Sequence, residues 1–287
     1  MLFNDLEALV LPGDIPLEFR AIPPVPVQEQ ALASGQPLSF LMGSRGKATD
    51  EEPRHRVIIP EPFYLGVTPV TQAQFEAWTR SREYREWLAS RSDEKPHQNQ
   101  FAGHPQRPAE NLTWYAARGF TEWLNHLVDT GRIGLPSGMR ARLPDEGRWE
   151  YACRAGSLTE YWNGDGEERL REIGWYGGNS SETADVGRLP ANPWGLHDMH
   201  GNVWEWCADA WDGKAYAQRP DGWVAGAWVR DGEEDPVRVM RGGSWFSSAR
   251  GCRSAYRNWW RPLNRNRGRG FRVLLSSPGP AAEPGSQ

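Results

Sequence analysis

The clearest hydrophobic period in the chain begins at Thr113. Ala116, Phe120, Trp123, Leu124 and Leu127 recur at helical spacing, so this segment is expected to form an amphipathic helix, capped by the threonine hydroxyl and laid against a sheet. Thr71 heads a second segment of this kind, with Phe75 and Trp78 on one side. A third, shorter helix is expected from Pro144 through Trp149 to Ala152, with Asp145 and Glu146 placed where acids favour a helix N-terminus. After Ala155 the periods vanish. Gly, Pro, Asn, Asp and Trp punctuate the chain until Val237–Val239 and Phe271–Leu275, which read as short strands. Much of the chain is therefore expected to be ordered loop, and loops of that extent need specific anchors. The pattern places one domain at residues 37–275, after a polar, Pro-rich lead-in at 1–36 and before a disordered tail at 276–287.

Composition sharpens this picture. The chain has 287 residues, 24% of them charged, with a formal net charge of −4; collagen-like, disordered and coiled-coil readings fail on these figures. Tryptophan is unusually frequent, at 16 residues, and suits loop anchors whose indole N–H groups bond to backbone carbonyls. The three cysteines, Cys153, Cys207 and Cys252, are odd in number and lack CxxC spacing, so they form neither a disulfide framework nor a zinc knuckle. No stretch approaches the roughly 20 apolar residues of a membrane span. The first 25 residues carry acids and prolines rather than a basic and then an apolar segment, which predicts a cytoplasmic protein unless another route carries it to the surface.

Several short motifs stand in a fixed order. They are Phe40-Leu41-Met42-Gly43-Ser44, Pro62-Phe63-Tyr64-Leu65-Gly66, Arg142-Leu143-Pro144-Asp145-Glu146 followed by Trp149-Glu150-Tyr151-Ala152, Asn192-Pro193-Trp194-Gly195-Leu196, Gly201-Asn202-Val203-Trp204-Glu205-Trp206, Arg241-Gly242-Gly243-Ser244-Trp245 and Gly270-Phe271-Arg272. In this order they resemble the formylglycine-generating enzyme (sulfatase-modifying factor) family over about residues 38–275. The resemblance implies an α+β, C-type-lectin-like fold: a small mixed sheet, two main helices and extensive ordered loops. The enzymes of that family hold copper between two thiols five residues apart, just after the GGSW-like motif. In this chain the second position is Cys252 but the first is Ser247, and a hydroxyl cannot replace a soft thiolate on Cu(I). No catalytic residue is therefore assigned; a copper-dependent oxidoreductase using Cys252 is the alternative. The resemblance also implies a structural calcium site at Glu205, and no other cofactor.

The stretch 241–271, RGGSWFSSARGCRSAYRNWWRPLNRNRGRGF, resembles the variable region of proteins diversified by retroelements, which use the same lectin-like fold. In such elements a reverse transcriptase randomises template adenines, so an asparagine codon turns into codons for Phe, Ser, Tyr, Leu or Gly but not Lys, Glu or Gln. Phe246, Ser247, Ser248, Gly251, Tyr256, Leu263, Asn266 and Gly268 are all reachable in this way, Asn258 fits an unmutated codon, and Trp260 is reachable from an arginine codon. These ten positions form the expected ligand-binding set, on a non-catalytic receptor-like protein whose ligand is an unidentified protein or other macromolecule. Ten arginines and no acid lie between Pro236 and Ala282. They suit either a nucleic-acid patch or internal pairing with buried acids, and the second is preferred because the resemblance places Arg241, Arg253, Arg257 and Arg272 in the family frame. The insert Trp211–Asp235 is expected to rim or cover this stretch.

Overall fold

The computed structural model describes residues 8–227 and 236–277. Most of the expected tail and the last third of the 211–235 insert lie outside these residues.

The three expected helices are present, each begun by the kind of cap the sequence offers. Thr71 accepts from the Gln74 N–H while the Gln74 side chain reaches back to the Thr71 N–H, starting the helix Gln72–Thr79 with a reciprocal capping box. Thr113 accepts from the Ala116 N–H at 2.9 Å and opens the 16-residue helix Trp114–Asp129, which buries Phe120, Trp123, Leu124 and Leu127. Asp145 caps the helix Glu146–Arg154, so Pro144 lies outside that helix rather than in its first turn. Four further helices stand among the described residues, at Val25–Ser34, Arg82–Ala89, Glu167–Ile173 and Ala215–Gln218. Phe75 stacks on Phe120, centroids 5.7 Å apart, and both meet Phe271 edge-on, which joins the two capped helices into one core.

The sheets are small and several. One antiparallel sheet runs Phe19–Ile22, Phe63–Gly66, Leu274–Ser276, Arg140–Arg142. A second, mixed sheet runs Asn258–Trp260, Arg238–Arg241, Trp204–Ala210, Arg269–Gly270; its last pair is parallel and the others are antiparallel. A three-stranded sheet (Leu38–Met42, His55–Ile59, Trp223–Val224) and the hairpin Leu9–Leu11/Ile15–Leu17 complete the set. From residue 8 onward the expected lead-in is thus part of the fold, its first seven residues lying outside those described. Phe19, Ala21 and Ile22 are buried in the first sheet, and Leu9, Leu11 and Leu17 join the core around the long helix. Strands of three or four residues are too short for their alternation to stand out against Pro and Gly neighbours. Ser276, expected to begin the tail, pairs with Arg140 instead.

Several indole N–H groups bond to backbone carbonyls, one of them joining a helix to a strand and two holding loops. Trp114 Nε1 donates to the Cys207 carbonyl at 2.8 Å, Trp245 Nε1 to the Arg267 carbonyl at 3.1 Å and Trp206 Nε1 to the Leu112 carbonyl at 3.4 Å. Among the described residues no helix is long and apolar enough to cross a membrane.

Candidate functional site

The arginine-rich stretch separates into two sets of side chains. The first points inward. Arg257 forks onto Glu146, with Nε–Oε1 at 2.6 Å and Nη2–Oε2 at 2.9 Å, and lies over the rings of Tyr216 and Trp211. Arg253 forks onto Glu51 at 2.9 and 2.6 Å. Arg241 pairs with Glu150 and donates to the carbonyls of Ser254, Ala255 and Tyr256. Arg272 binds Glu205 and the carbonyls of Gly66, Val67 and His197. All eight ionic side chains are buried. A charge in a low-dielectric interior needs a partner and hydrogen bonds for its donors; Arg253, Arg257 and Arg272 have both, and Arg241 has its carboxylate and three carbonyls but a buried Nε without an acceptor. Burial alone would raise the Glu146 pKa, but the charges of Arg257 and Arg241 outweigh it and hold the carboxyl down at about 2.

These pairs fix the loop geometry. Arg241 ends its strand, and the next two residues, Gly242 and Gly243, have φ of 94° and 79°, a region that favours glycine. A Cβ on Gly243 would also collide with Cys252 Sγ. Trp245 is buried between Phe101 and Phe246, centroids 5.7 and 4.9 Å away. A short 3-10 turn, Ala249–Cys252, follows, and the chain returns as Asn258–Trp260, an edge strand of the mixed sheet.

The second set points outward. Phe246 is 44% exposed, Trp260 38% and Leu263 37%, and Ser248 is also exposed. Ser247, Tyr256, Asn258 and Asn266 are half-buried. Tyr256 rests on Trp204, and Asn266 is held by Gly268 N–H on its side chain and Asn111 N–H on its carbonyl. Gly251 and Gly268 are buried, and the Phe246 ring occupies the space that a Cβ on Gly268 would need. The ten expected positions thus share one loop system but not one surface. Trp259, which is not among them, is 45% exposed and lies 6.4 Å from Trp211 and 6.5 Å from Trp260, centroid to centroid. Its signal was the Asn-Trp-Trp run: adjacent strand residues face opposite ways, and at a sheet edge both faces reach solvent.

The metal expectations do not fit these side chains. Both Glu205 oxygens are engaged, by the Arg272 guanidinium and by Trp149 Nε1 at 2.7 Å. The Arg272 cation thus already lies against the carboxylate that was expected to hold calcium. Copper fares no better. Burial pushes the Cys252 thiol up to about 12, against the opposing pull of the Ser244 N–H; the Ser247 hydroxyl is spent on Ser244, accepting its N–H at 3.0 Å and meeting its hydroxyl at 3.0 Å. His200 is no ligand either. Nδ1 donates to the Cys252 carbonyl at 2.7 Å, which leaves Nε2 to accept from Trp162 N–H at 3.3 Å, and burial lowers its pKa to about 4.

Comparison with known proteins agrees with the architecture. The profile of the sulfatase-modifying factor enzyme 1-like domain matches residues 20–277. Serine/threonine-protein kinase pkn1 of Chlamydia caviae is 31% identical over 250 residues, which is 81% of this chain and 36% of the kinase; the chain spans about a third of the length of that relative. Treponema denticola variable protein 1 superposes with a TM-score of 0.67 at 22% identity, covering 95% of this chain and 99% of that one. PvdO from Pseudomonas aeruginosa superposes with a TM-score of 0.70 at 24% identity, covering 96% and 97%.

Proposed function

The chain belongs to the sulfatase-modifying factor enzyme 1-like family, and from that premise we propose that it is a non-catalytic, ligand-binding member whose stretch 241–271 is a diversified recognition surface. The observation that carries this reading is the division of one loop system into four arginines locked on buried carboxylates and a set of partly exposed side chains between them. Such a division lets the outward residues change without disturbing the core. Phe246, Trp259, Trp260 and Leu263 supply rigid apolar contact area, and Ser248 and Asn258 supply adaptable polarity, the combination used by antibody loops. The ligand is accordingly a protein or another macromolecule with surface enough to cover several of these side chains. The fold shared with the Treponema denticola variable protein supports the scaffold alone. Against the oxidoreductase alternative stand the serine at position 247 and the buried, protonated Cys252.

The test is the DNA downstream of the gene. We expect a near-copy of codons 241–271 beside a reverse transcriptase, differing from the gene at adenines. A locus with no such copy overturns the diversified surface. Stoichiometric Cu(I) binding that is lost in Cys252→Ser would overturn the non-catalytic assignment instead.

A further inference from the structure

We propose that a cavity beside the Gly43–Lys47 loop binds one small oxyanion, of the phosphate or carboxylate kind, on the guanidinium groups of Arg54 and Arg45. The cavity has a volume of about 170 Å³. That is well under the roughly 300–1,000 Å³ of pockets for drug-sized ligands, so it suits a single ion and no nucleotide. Five cationic side chains line it: Arg45, Lys47, Arg54, Arg154 and Arg253.

Three of these are already matched. Arg154 is bound by Glu150 and by the carbonyls of Gly43 and Thr159. Arg253 is bound by Glu51 and the Arg250 carbonyl. Lys47 pairs with Glu160 at 2.8 Å. Arg45 and Arg54 have no carboxylate or carbonyl partner among the described residues. The Arg54 Nε is moreover buried with no acceptor. A buried N–H on a charged group is destabilising until something accepts it. Of the two acids in the lining, Glu160 is taken by Lys47 and the Gly166 N–H, while Asp165 accepts only the Glu160 N–H. Two unmatched guanidiniums against one unmatched carboxylate leave the wall positive. A planar guanidinium fork offers paired donors to a phosphate or carboxylate.

The walls of this cavity are fastened to the variable stretch. Ser254 N–H donates to the Glu160 carbonyl at 2.8 Å and Arg250 Nη2 to the Lys47 carbonyl at 3.4 Å. A seated anion would therefore brace the 3-10 turn Ala249–Cys252 from behind.

Inorganic phosphate and acetate, each titrated into the full chain at constant ionic strength in chloride, test this by calorimetry and by the rise in melting temperature. We expect saturable binding of at least one of them, weakened tenfold or more by Arg54→Met and several-fold by Arg45→Met, and tightened by Asp165→Asn. Tighter phosphate assigns a phosphate-type ligand, and tighter acetate a carboxylate. No saturable effect beyond that of chloride overturns the proposal, as does an Arg54→Met protein that binds like the parent. Should Arg54→Met fail to fold, Asp165→Asn decides: unchanged or weaker binding overturns the site. None of these outcomes bears on the locus or copper tests above.

Discussion

Arg257 and Arg261 are four residues apart in the same basic stretch and have opposite fates. Arg257 is buried, forked onto Glu146 and covered by two aromatic rings, whereas Arg261 stands in solvent. The same contrast holds between the two regions they represent. The frame, built from Arg241, Arg253, Arg257, Arg272 and Trp245, takes its conformation from carboxylates and carbonyls far away in sequence. The face, built from Phe246, Trp259, Trp260 and Leu263, is left by that frame at the surface. One region is pinned in the interior by ion pairs and the other is left partly exposed, although the two alternate along one stretch of chain.

The largest effect should come from breaking a frame pair on one side. Arg257→Met leaves the buried Glu146 carboxylate without its main partner and should cost about 3–5 kcal/mol, read as a shift in the urea midpoint. Trp245→Ala empties a packed site and removes the bond to the Arg267 carbonyl; a loss of about 3–5 kcal/mol is expected. If either variant melted with the parent, the frame would not be what holds the loops.

A third test concerns pH, because two buried carboxylates behave oppositely. Glu146 is held at about 2, so its contribution is complete above the ordinary carboxylate range and is lost only as pH falls towards 2. Glu110 is raised to about 7 by burial, against the pull of the Phe101 and Gln100 backbone, and its Oε2 has no partner. Its neutral form is the one the fold prefers. Its contribution is therefore full below about 4.5 and fades as pH rises through 7. Buried His97, lowered to about 4, loses stability in the reverse sense as pH falls below 6.5, so the difference between parent and Glu110→Gln is the proper readout. That variant should gain on the parent as pH rises from 4.5 to 7.5. A constant difference would show Glu110 ionised throughout.

The smallest effect belongs to the face. Alanine at Ser248 or Leu263 should change stability by no more than about 0.5 kcal/mol, as at ordinary surface sites. Tyr256 is expected to cost more, since it is half-buried on Trp204. Face variants as damaging as Trp245→Ala would erase the division between the two regions.

Three helices were legible because each joins a capping residue to apolar positions at helical spacing, and Thr113 with its apolar stripe is the clearest case. Arg82–Ala89, which buries only Tyr84, was not read from the sequence. The ordered motifs carried the fold class, and Ser247 could be read at once as a missing thiol. What a linear chain cannot display is who meets whom across tens to hundreds of residues. The partners of Arg253 and Arg272 lie 202 and 67 positions away, so Glu205 reads as an open calcium ligand until Arg272 is seen to fill it. The same holds for Gly251, Gly268 and Asn266, which codon reasoning groups with the face and packing withdraws from it, and for Trp259, which the sheet edge exposes. By itself the sequence determined the caps, the periods and the chemistry each residue could offer, because those depend on neighbours within a few positions. The tertiary structure alone decided which charges are spent in the interior and which side chains remain for a ligand, because burial and pairing depend on contacts that only the closed fold creates.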